Sequence, residues 1–146
     1  MIMAVSMQVD IVSAEGSLFS GKAEMVFAQA ANGEVGIMPH HTQFLSPLKP
    51  GQVRVVSGDE EDFFYISGGI IEIQPSVVTI LADTAIRAED LDQVAAEDAK
   101  RRAEEAMDKA KSDTDIARAQ VELAEAVAQI QTISKLRDRL HKTGLA

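Results

Sequence analysis

Cysteine, excess basic charge and long apolar runs are all missing from this sequence. The absence of cysteine excludes disulfides, thiolate metal sites and thiol nucleophiles. The formal net charge of -9 at pH 7 argues against nucleic acid as a partner, because phosphate binding needs a concentrated cationic face. No apolar run approaches the roughly 18 residues of a membrane span, and residues 1–5 lack the basic and apolar regions of a signal peptide. We therefore expect a soluble, cytoplasmic protein with no direct lipid insertion.

Glycine and proline are almost absent from the second part of the chain. All four prolines and eight of the nine glycines precede residue 76, and beyond it only Gly144 remains. These residues mark turns, and their absence permits long helices. The distribution therefore predicts two domains, residues 1–84 and 88–146, in a chain whose 46% hydrophobic and 25% charged content is that of a globular protein.

The first domain is predicted to be an antiparallel β-sandwich or flattened barrel. Apolar and polar residues alternate at 7–11 and at 23–27, and the second run places Ala23, Met25 and Phe27 on one face of a strand. Two hairpins with short polar or glycine-containing turns follow. They join residues 53–56 to 63–66, and residues 70–73 to 77–81.

The second domain is predicted to be a helical hairpin, because apolar residues recur there at three- and four-residue steps. The first stripe contains Leu91, Val94, Ala95, Ala99, Ala103, Ala106 and Ala110, and the second contains Ile116, Ala119, Leu123, Ala126, Ile130, Ile133, Leu136 and Leu140. Residues 112–115 offer capping side chains for the second helix. A helix from Asp115 to about Lys142 would be about 40 Å long.

Two interpretations of this hairpin remain open. Two helices lack a closed core, and alanine methyl groups bury little apolar area. The hairpin could pack permanently on the sandwich or dimerise. Alternatively, its modest contacts could make it detachable, as in a switch.

The densest cluster of special residues lies at 33–41 and contains Glu34, His40 and His41. Adjacent histidines on a strand point to opposite faces, and no third ligand follows at a recognisable spacing, so we expect no metal site. The glycines favour an ordered loop that exposes Glu34 and His41 to another protein.

The sequence offers no catalytic motif. It has no Gly-x-Ser-x-Gly elbow and no phosphate-binding loop with the Gly-x-x-x-x-Gly-Lys spacing. The acidic run at 59–62 is typical of a solvated hairpin tip. We expect neither enzymatic activity nor a cofactor.

A basic segment ends the second helix and consists of Lys135, Arg137, Arg139 and Lys142. Such residues often only complement the negative end of a helix dipole. They could also bind an acidic surface of a partner protein. Reversing the four charges is expected to oppose partner binding, because like charges repel, while leaving the Ile/Leu stripe of the second helix available for packing on the sandwich.

Five segments, in order, give the chain a resemblance to a known family. They are residues 9–15 (VDIVSAE), 33–41 (GEVGIMPHH), 48–51 (LKPG), 65–69 (YISGG) and 77–85 (VVTILADTA). Together with the two-helix tail they resemble the epsilon subunit of bacterial F-type ATP synthase. Many members have glycine where this chain has His40.

The resemblance implies a non-catalytic central-stalk subunit, peripheral on the cytoplasmic face of the cell membrane. It implies a sandwich bound to the gamma subunit, with Glu34 and His41 contacting the ring of membrane-embedded proton-carrying subunits. It also implies that the helices extend towards the catalytic alpha and beta subunits and obstruct ATP hydrolysis, with Lys135, Arg137, Arg139 and Lys142 as the inhibitory contacts.

Some relatives bind ATP through a Leu-Asp-x-x-Arg-Ala motif in the first helix. The matching segment here is 91–96 (LDQVAA), with Ala95 in place of arginine. Alanine lacks the fork of donors that arginine offers to phosphate, so we expect weak or undetectable ATP binding.

Two other functions are weighed beside this one. The chain could be a cytoplasmic adaptor, unrelated to ATP synthase, with a β-sandwich and an interaction hairpin. A small hydrolase is a more distant alternative.

Overall fold

The computed structural model describes residues 5–144, which form ten β-strands followed by a single 3-10 turn and two α-helices. The strands are β1 (Met7–Ser13), β2 (Gly16–Ala23), β3 (Met25–Ala30), β4 (Gly33–Ile37), β5 (Phe44–Leu48), β6 (Gly51–Ser57), β7 (Glu60–Ile66), β8 (Gly69–Ile73), β9 (Val77–Ala82) and β10 (Ala85–Arg87). The 3-10 turn is Ala88–Asp90, and the helices are α1 (Gln93–Lys109) and α2 (Asp113–Lys142). This architecture confirms the predicted β-sandwich followed by a helical hairpin.

Residues 1–4 and 145–146 lie outside the described residues. The first group includes most of the segment in which no signal peptide is expected, and the second is the end of the predicted helical domain. No helix in residues 5–144 is both long and apolar enough to cross a membrane.

The strands form a nearly closed sheet that folds into two layers. Its order is β10-β7-β6-β3-β5-β8-β9-β1-β2, and β4 pairs with β3. The two halves are joined through a single residue pair, Ala30 with Leu48. The expectation of purely antiparallel pairing is wrong at one place, because β1 and β9 are parallel. A parallel pair needs a long connection, which the intervening strands provide.

The core lies between the two layers. In β1, Met7, Val9 and Ile11 are at most 1% exposed, as alternation predicts. The predicted face at 23–27 is wrong beyond Ala23. The chain changes direction at Glu24, so that Val26 and its alternate neighbours point inward and Phe27 points outward. A side-chain period of two restarts wherever a strand is interrupted.

Both predicted hairpins are present, and the β6–β7 turn is tighter than expected. Ser57 pairs with Glu60, which leaves only Gly58 and Asp59 in the turn, with Gly58 at φ 61. Three of the four acidic residues at 59–62 therefore belong to strand β7 rather than to a loop.

Helix α1 begins after Asp92, whose side chain accepts a hydrogen bond from the Ala95 N–H at 3.1 Å. Its buried residues are Ala96 and Ala103, whereas Val94 is 68% exposed. The predicted stripe is wrong at Val94, Ala95 and Ala106, which are exposed, and it omits the buried Ala96.

Helix α2 begins at Asp113, where the Ser112 hydroxyl accepts a hydrogen bond from the Asp115 N–H at 3.1 Å, as the capping residues predict. The helix pairs with α1 and lies against β6, β7 and the 3-10 turn. Its buried residues are Ala119, Ala126, Ala128 and Thr132. The larger residues of the predicted stripe are only half-buried or exposed.

Strand β10 (Ala85–Arg87) pairs with β7, beyond the predicted domain end at residue 84. The Arg87 guanidinium also donates to the Leu18 carbonyl oxygen at 2.6 Å. These contacts attach residues 85–87 to the sandwich.

Candidate functional site

A polar groove separates the C-terminal part of α2 from the outer face of strands β3, β4, β6 and β7. Its volume is about 310 Å³. Its charged lining consists of Glu34, Arg54, Glu61, Lys135, Asp138, Arg139 and Lys142. The sequence analysis assigned Glu34 and the basic segment to two different partners. In this structure Glu34 and three of the four basic residues line one groove.

Arg139 connects α2 to the β6–β7 hairpin. Its Nε lies 3.8 Å from Glu61 Oε2, and its guanidinium donates to the Asp59 carbonyl oxygen. Arg54 Nη1 lies 3.6 Å from the same Glu61 carboxylate, and the Arg54 guanidinium covers the Phe27 ring at 4.1 Å. Charge reversal in the basic segment would therefore remove the contacts of Arg139 with Glu61 and Asp59, while leaving the Ile/Leu stripe unchanged.

Arg137 points elsewhere and donates to the Gln93 side-chain oxygen at the start of α1. The basic segment thus makes contacts with both the sandwich and the first helix. It is not a free tail in this form of the protein.

The acidic run is not a uniformly solvated tip. Asp59 and Glu60 are exposed, whereas Glu61 and Asp62 are half-buried on opposite faces of β7. Burial raises the pKa of the Asp62 carboxyl, and the nearby positive charge of Arg87 acts in the opposite direction. Only Glu61 of this run forms an ion pair with α2 in the described part of the chain.

Helix α2 also covers Tyr65, which is 2% exposed. The pKa of Tyr65 is raised to about 12, and burial is the largest cause. The negative charge of Glu125 also raises this pKa, whereas a hydrogen bond with the Gln129 side chain lowers it. Farther along α2, Thr132 is fully buried and donates to the Ala128 carbonyl oxygen at 2.7 Å. The hydroxyl is satisfied within its own helix, as a buried polar group must be.

The sequence analysis missed this covered face, although a signal was present. Residues 63–66 are all apolar or aromatic and all buried, whereas a strand with one solvated face alternates. A continuous buried run in an antiparallel hairpin indicates that a second element covers the outer face. Here that element is α2.

Glu34 lies near the start of strand β4, and His41 lies beyond its end. The predicted loop at 33–41 is largely strand β4, in which Glu34 is exposed and accepts a hydrogen bond from the Gln29 amide at 2.9 Å. His41 is half-buried in the turn beyond β4, with its Nδ1 2.7 Å from the Thr42 carbonyl oxygen. A strand advances about 3.3 Å per residue, so about 10 Å of β4 separates Glu34 from Ile37.

The turn beyond β4 contains an unusual backbone conformation at His40. Its φ is 65, in the left-handed region that glycine enters most easily, and its N–H donates to the Pro75 carbonyl oxygen at 2.8 Å. His40 thus has the left-handed backbone conformation that glycine, the residue of many family members at this position, adopts easily.

The outer face of the other layer carries an apolar row. Pro47, Ile70 and Leu81 lie side by side on β5, β8 and β9, and Leu45 lies two residues along from Pro47. Ile70 is 46% exposed, Leu81 52% and Leu45 67%. Exposed aliphatic residues that are contiguous across strands are typical of a protein interface.

Among residues 5–144, no group of three or more histidine, aspartate or glutamate side chains is placed to hold a metal ion. In the segment that resembles an ATP-binding motif, the Asp92 carboxylate caps α1, and Ala95 offers no charged donor.

Fold and surfaces together define a protein of two joined parts, a sandwich with an exposed apolar row and a hairpin bound to it over a polar groove. The sequence model of the ATP synthase delta/epsilon chain β-sandwich domain matches residues 6–88, and that of the delta/epsilon long α-helix domain matches residues 89–134. The chain belongs to the ATP synthase delta/epsilon chain family. It is an accessory subunit and not itself catalytic, and this excludes the unrelated adaptor and the hydrolase.

Similar proteins extend over almost the whole chain. The ATP synthase epsilon chain of Hydrogenovibrio crunogenus is 85% identical over 144 residues, which cover 99% of this chain and 100% of that one. The ATP synthase epsilon chain 1 of Methylococcus capsulatus is 57% identical, with 92% and 97% covered.

Solved structures show the same fold at low identity. A chain in the Euglena gracilis mitochondrial ATP synthase OSCP/F1/c-ring structure superposes with a TM-score of 0.78 at 18% identity, covering 88% of this chain and 81% of that one. A chain in the central stalk/c-ring structure of Tetrahymena thermophila mitochondrial ATP synthase gives 0.59 at 10% identity, covering 92% and 98%.

Proposed function

We propose that this chain couples the gamma subunit of a rotary ATP synthase to the ring of membrane-embedded proton-carrying subunits, and that α1 and α2 inhibit ATP hydrolysis. The observation that carries the proposal is the attachment of α2, whose fully buried side chains are small and whose one ion pair with the sandwich, among the described residues, is partly exposed. Such an attachment can be released at modest free-energy cost. We also propose that residues 1–84 and 88–146 act as separate functional units.

The apolar row supports gamma as the partner of the sandwich. Pro47, Ile70 and Leu81 extend across three strands of the sandwich. Ile70 also lines a cleft with Ala117 and Val121 of α2, so a partner bound to this row would lie beside the docked helix. Apolar surface at the centre of an interface supplies most of its binding energy.

Glu34 and His41 are proposed to contact the membrane ring from the edge strand β4 and the turn that follows it. This contact would place the protein peripherally on the cytoplasmic face of the membrane. Replacing both residues with alanine is expected to change the unfolding free energy by less than about 0.5 kcal/mol, and to reduce proton pumping per ATP hydrolysed. The rates of proton pumping and of ATP hydrolysis are measured in membrane vesicles, with Glu15→Ala, a change at another exposed glutamate, as the control. Normal pumping in the double variant would remove these residues from the ring contact.

The basic segment is proposed to bind acidic surface on the catalytic alpha and beta subunits when the hairpin extends. Helix α2 has 30 residues, a length of about 45 Å, which suits a reach from the sandwich towards a neighbouring subunit. Lys135, Arg137, Arg139 and Lys142 all lie in its last two turns.

Deletion of residues 88–146 tests the inhibitory role, because it removes both helices and retains β10. Assembled complexes with the deletion are expected to hydrolyse ATP faster than complexes with the full chain under conditions where the full complex is latent. An equal rate in the two complexes, with equal amounts of bound subunit, would show that the helices do not inhibit.

A further inference from the structure

We infer that Glu61 retains the basic end of α2 on the sandwich and thereby withholds Arg139 from any acidic partner surface. The contact itself is independent of the proposed function, but its consequence for ATP hydrolysis rests on that proposal. The inference assigns a regulatory role to the β6–β7 hairpin, whose acidic run at 59–62 was expected to be a solvated tip.

The β6–β7 hairpin offers Arg139 two acceptors at once. One is the Glu61 carboxylate and the other is the Asp59 carbonyl oxygen, which projects from the two-residue turn. A guanidinium presents several donors in a fixed planar fork, so one side chain can bind both acceptors. Lysine, with its single ammonium group, would not reproduce this pair of contacts.

Arg54 positions the carboxylate that receives Arg139. It lies 3.6 Å from Glu61 and is itself stacked on Phe27, so Glu61 stands between two guanidinium groups. Strands β6 and β7 hold Arg54 and Glu61 within one hydrogen-bonded pair of strands. The acceptor is therefore already in place when α2 docks, and little side-chain ordering is left for the docking step.

The two uses of Arg139 exclude each other. In the docked state Arg139 lies against the β6–β7 hairpin, and in the extended state α2 would carry it away from the sandwich, so extension of α2 requires release from Glu61. The side chains of Arg139 and Glu61 are 28% and 21% exposed, which leaves the pair accessible to water and to salt. A contact of this kind shifts a two-state equilibrium without fixing it.

Pulsed electron paramagnetic resonance on the isolated full chain measures the distance between two spin labels, and thereby the position of the helical hairpin relative to the sandwich. The chain has no cysteine, so Gln43→Cys and His141→Cys accept spin labels selectively, and neither residue lines the groove. The labelled parent is expected to show a dominant short distance. Glu61→Lys is expected to lower the ratio of docked to undocked molecules about fivefold, the effect of losing one partly exposed ion pair.

Glu60→Lys is the matched control, because it makes the same change of charge one residue away at an exposed position. It is expected to change the ratio less than about twofold, as a screened charge would. Arg139→Ala is expected to reproduce the effect of Glu61→Lys without any change in the sandwich. Equal effects of Glu60→Lys and Glu61→Lys, or no effect of Arg139→Ala, would overturn the inference.

Assembled complexes separate this inference from the proposed function. If both hold, complexes with Glu61→Lys hydrolyse ATP more slowly than the parent, because more hairpins are free to extend. If the isolated variant undocks but hydrolysis does not fall, the contact with Glu61 stands and the proposed inhibitory role is wrong. If the isolated variant does not undock, the inference fails whatever the rate of hydrolysis.

Discussion

The interior of the sandwich and the interface of the hairpin are built from side chains of different size. Isoleucine, valine and phenylalanine fill the sandwich, where Ile71, Ile80 and Phe64 are fully buried. The buried residues of α2 are three alanines and a threonine. Full burial of a large aliphatic side chain stabilises by about 1.5–3 kcal/mol, whereas a single methyl group contributes well under half as much.

This difference is consistent with the proposal that the hairpin is releasable while the sandwich is permanent. Each large buried residue links the unfolding of the sandwich to that of its neighbours, so the sandwich is expected to unfold as one unit. Separation of the hairpin from the sandwich would break one partly exposed ion pair and uncover the alanines of α2 together with the rings of Phe63 and Tyr65. The interior of the sandwich would remain buried, so separation is expected to cost less than unfolding of the sandwich.

The largest expected effect comes from truncating a core residue of the sandwich. Ile80→Ala is expected to lower the free energy of unfolding by about 2–5 kcal/mol, because it leaves a cavity in a fully buried site. Ile116→Ala on α2, at a position 36% exposed, is the comparison and is expected to cost less than about 1 kcal/mol. Urea denaturation followed by circular dichroism measures both. Similar losses for the two variants would contradict the division into permanent and releasable parts.

A second effect, of about 3 kcal/mol, is expected from Gly69→Ala in the sandwich. Gly69 has φ 138, and an added Cβ would lie 2.1 Å from the Leu81 carbonyl oxygen, so backbone would have to move. Gly33 has a similar φ of 131 but open space around it, and Gly33→Ala is expected to cost only about 1 kcal/mol of backbone strain. Thermal unfolding of the two variants separates the steric contribution from the conformational one. A smaller loss for Gly69→Ala than for Gly33→Ala would be inconsistent with this packing.

A third test sharpens the boundary between the two parts. A fragment of residues 1–84 is expected to fold alone, and a fragment of residues 1–88 to be more stable by about 1–2 kcal/mol, since it retains β10 and the hydrogen bond from Arg87 to the Leu18 carbonyl. Comparison of their thermal transitions measures the difference. If neither fragment showed a cooperative transition, the sandwich would depend on the hairpin for folding.

The smallest expected effect concerns pH and reports directly on the interface. Burial in the folded chain raises the pKa of Tyr65 to about 12, above its ordinary value of 10.0, so the docked hairpin favours the protonated phenol. The stabilisation is complete below pH 10 and is lost as the pH rises towards 12. Tyr65 is the single tyrosine, so the phenolate absorbance titrates it alone. Removing residues 89–146 is expected to lower this pKa, and an unchanged value would show that α2 does not cover the phenol.

Local patterns predicted much of this structure. Alternation located β1 and both hairpins, and capping residues located the start of α2 at Ser112. Each of these features depends on residues that are close in sequence. The change of face at Glu24 and the parallel pairing of β1 with β9 were not predicted, because an interruption of a strand and a long connection leave no periodic signal.

The polar groove was beyond prediction for a related reason. Arg139 and Asp59 are 80 residues apart, and the basic segment is equally compatible with binding any acidic surface. The sequence therefore did not predict that Arg139 forms an ion pair with Glu61 of the same chain. The burial of Phe63 and Tyr65 on the outer face of β7 was the one local sign of that contact.

The burial of these two aromatic residues also bears on the life of the protein before assembly. Phe63 and Tyr65 are 4% and 2% exposed beneath α2, and extension of the hairpin would present both rings to water on the face of a β-hairpin. In an unassembled subunit, a docked α2 covers this apolar face of strand β7 and keeps it from contact with other copies of the chain. We therefore expect docking of α2 to limit aggregation of the isolated subunit.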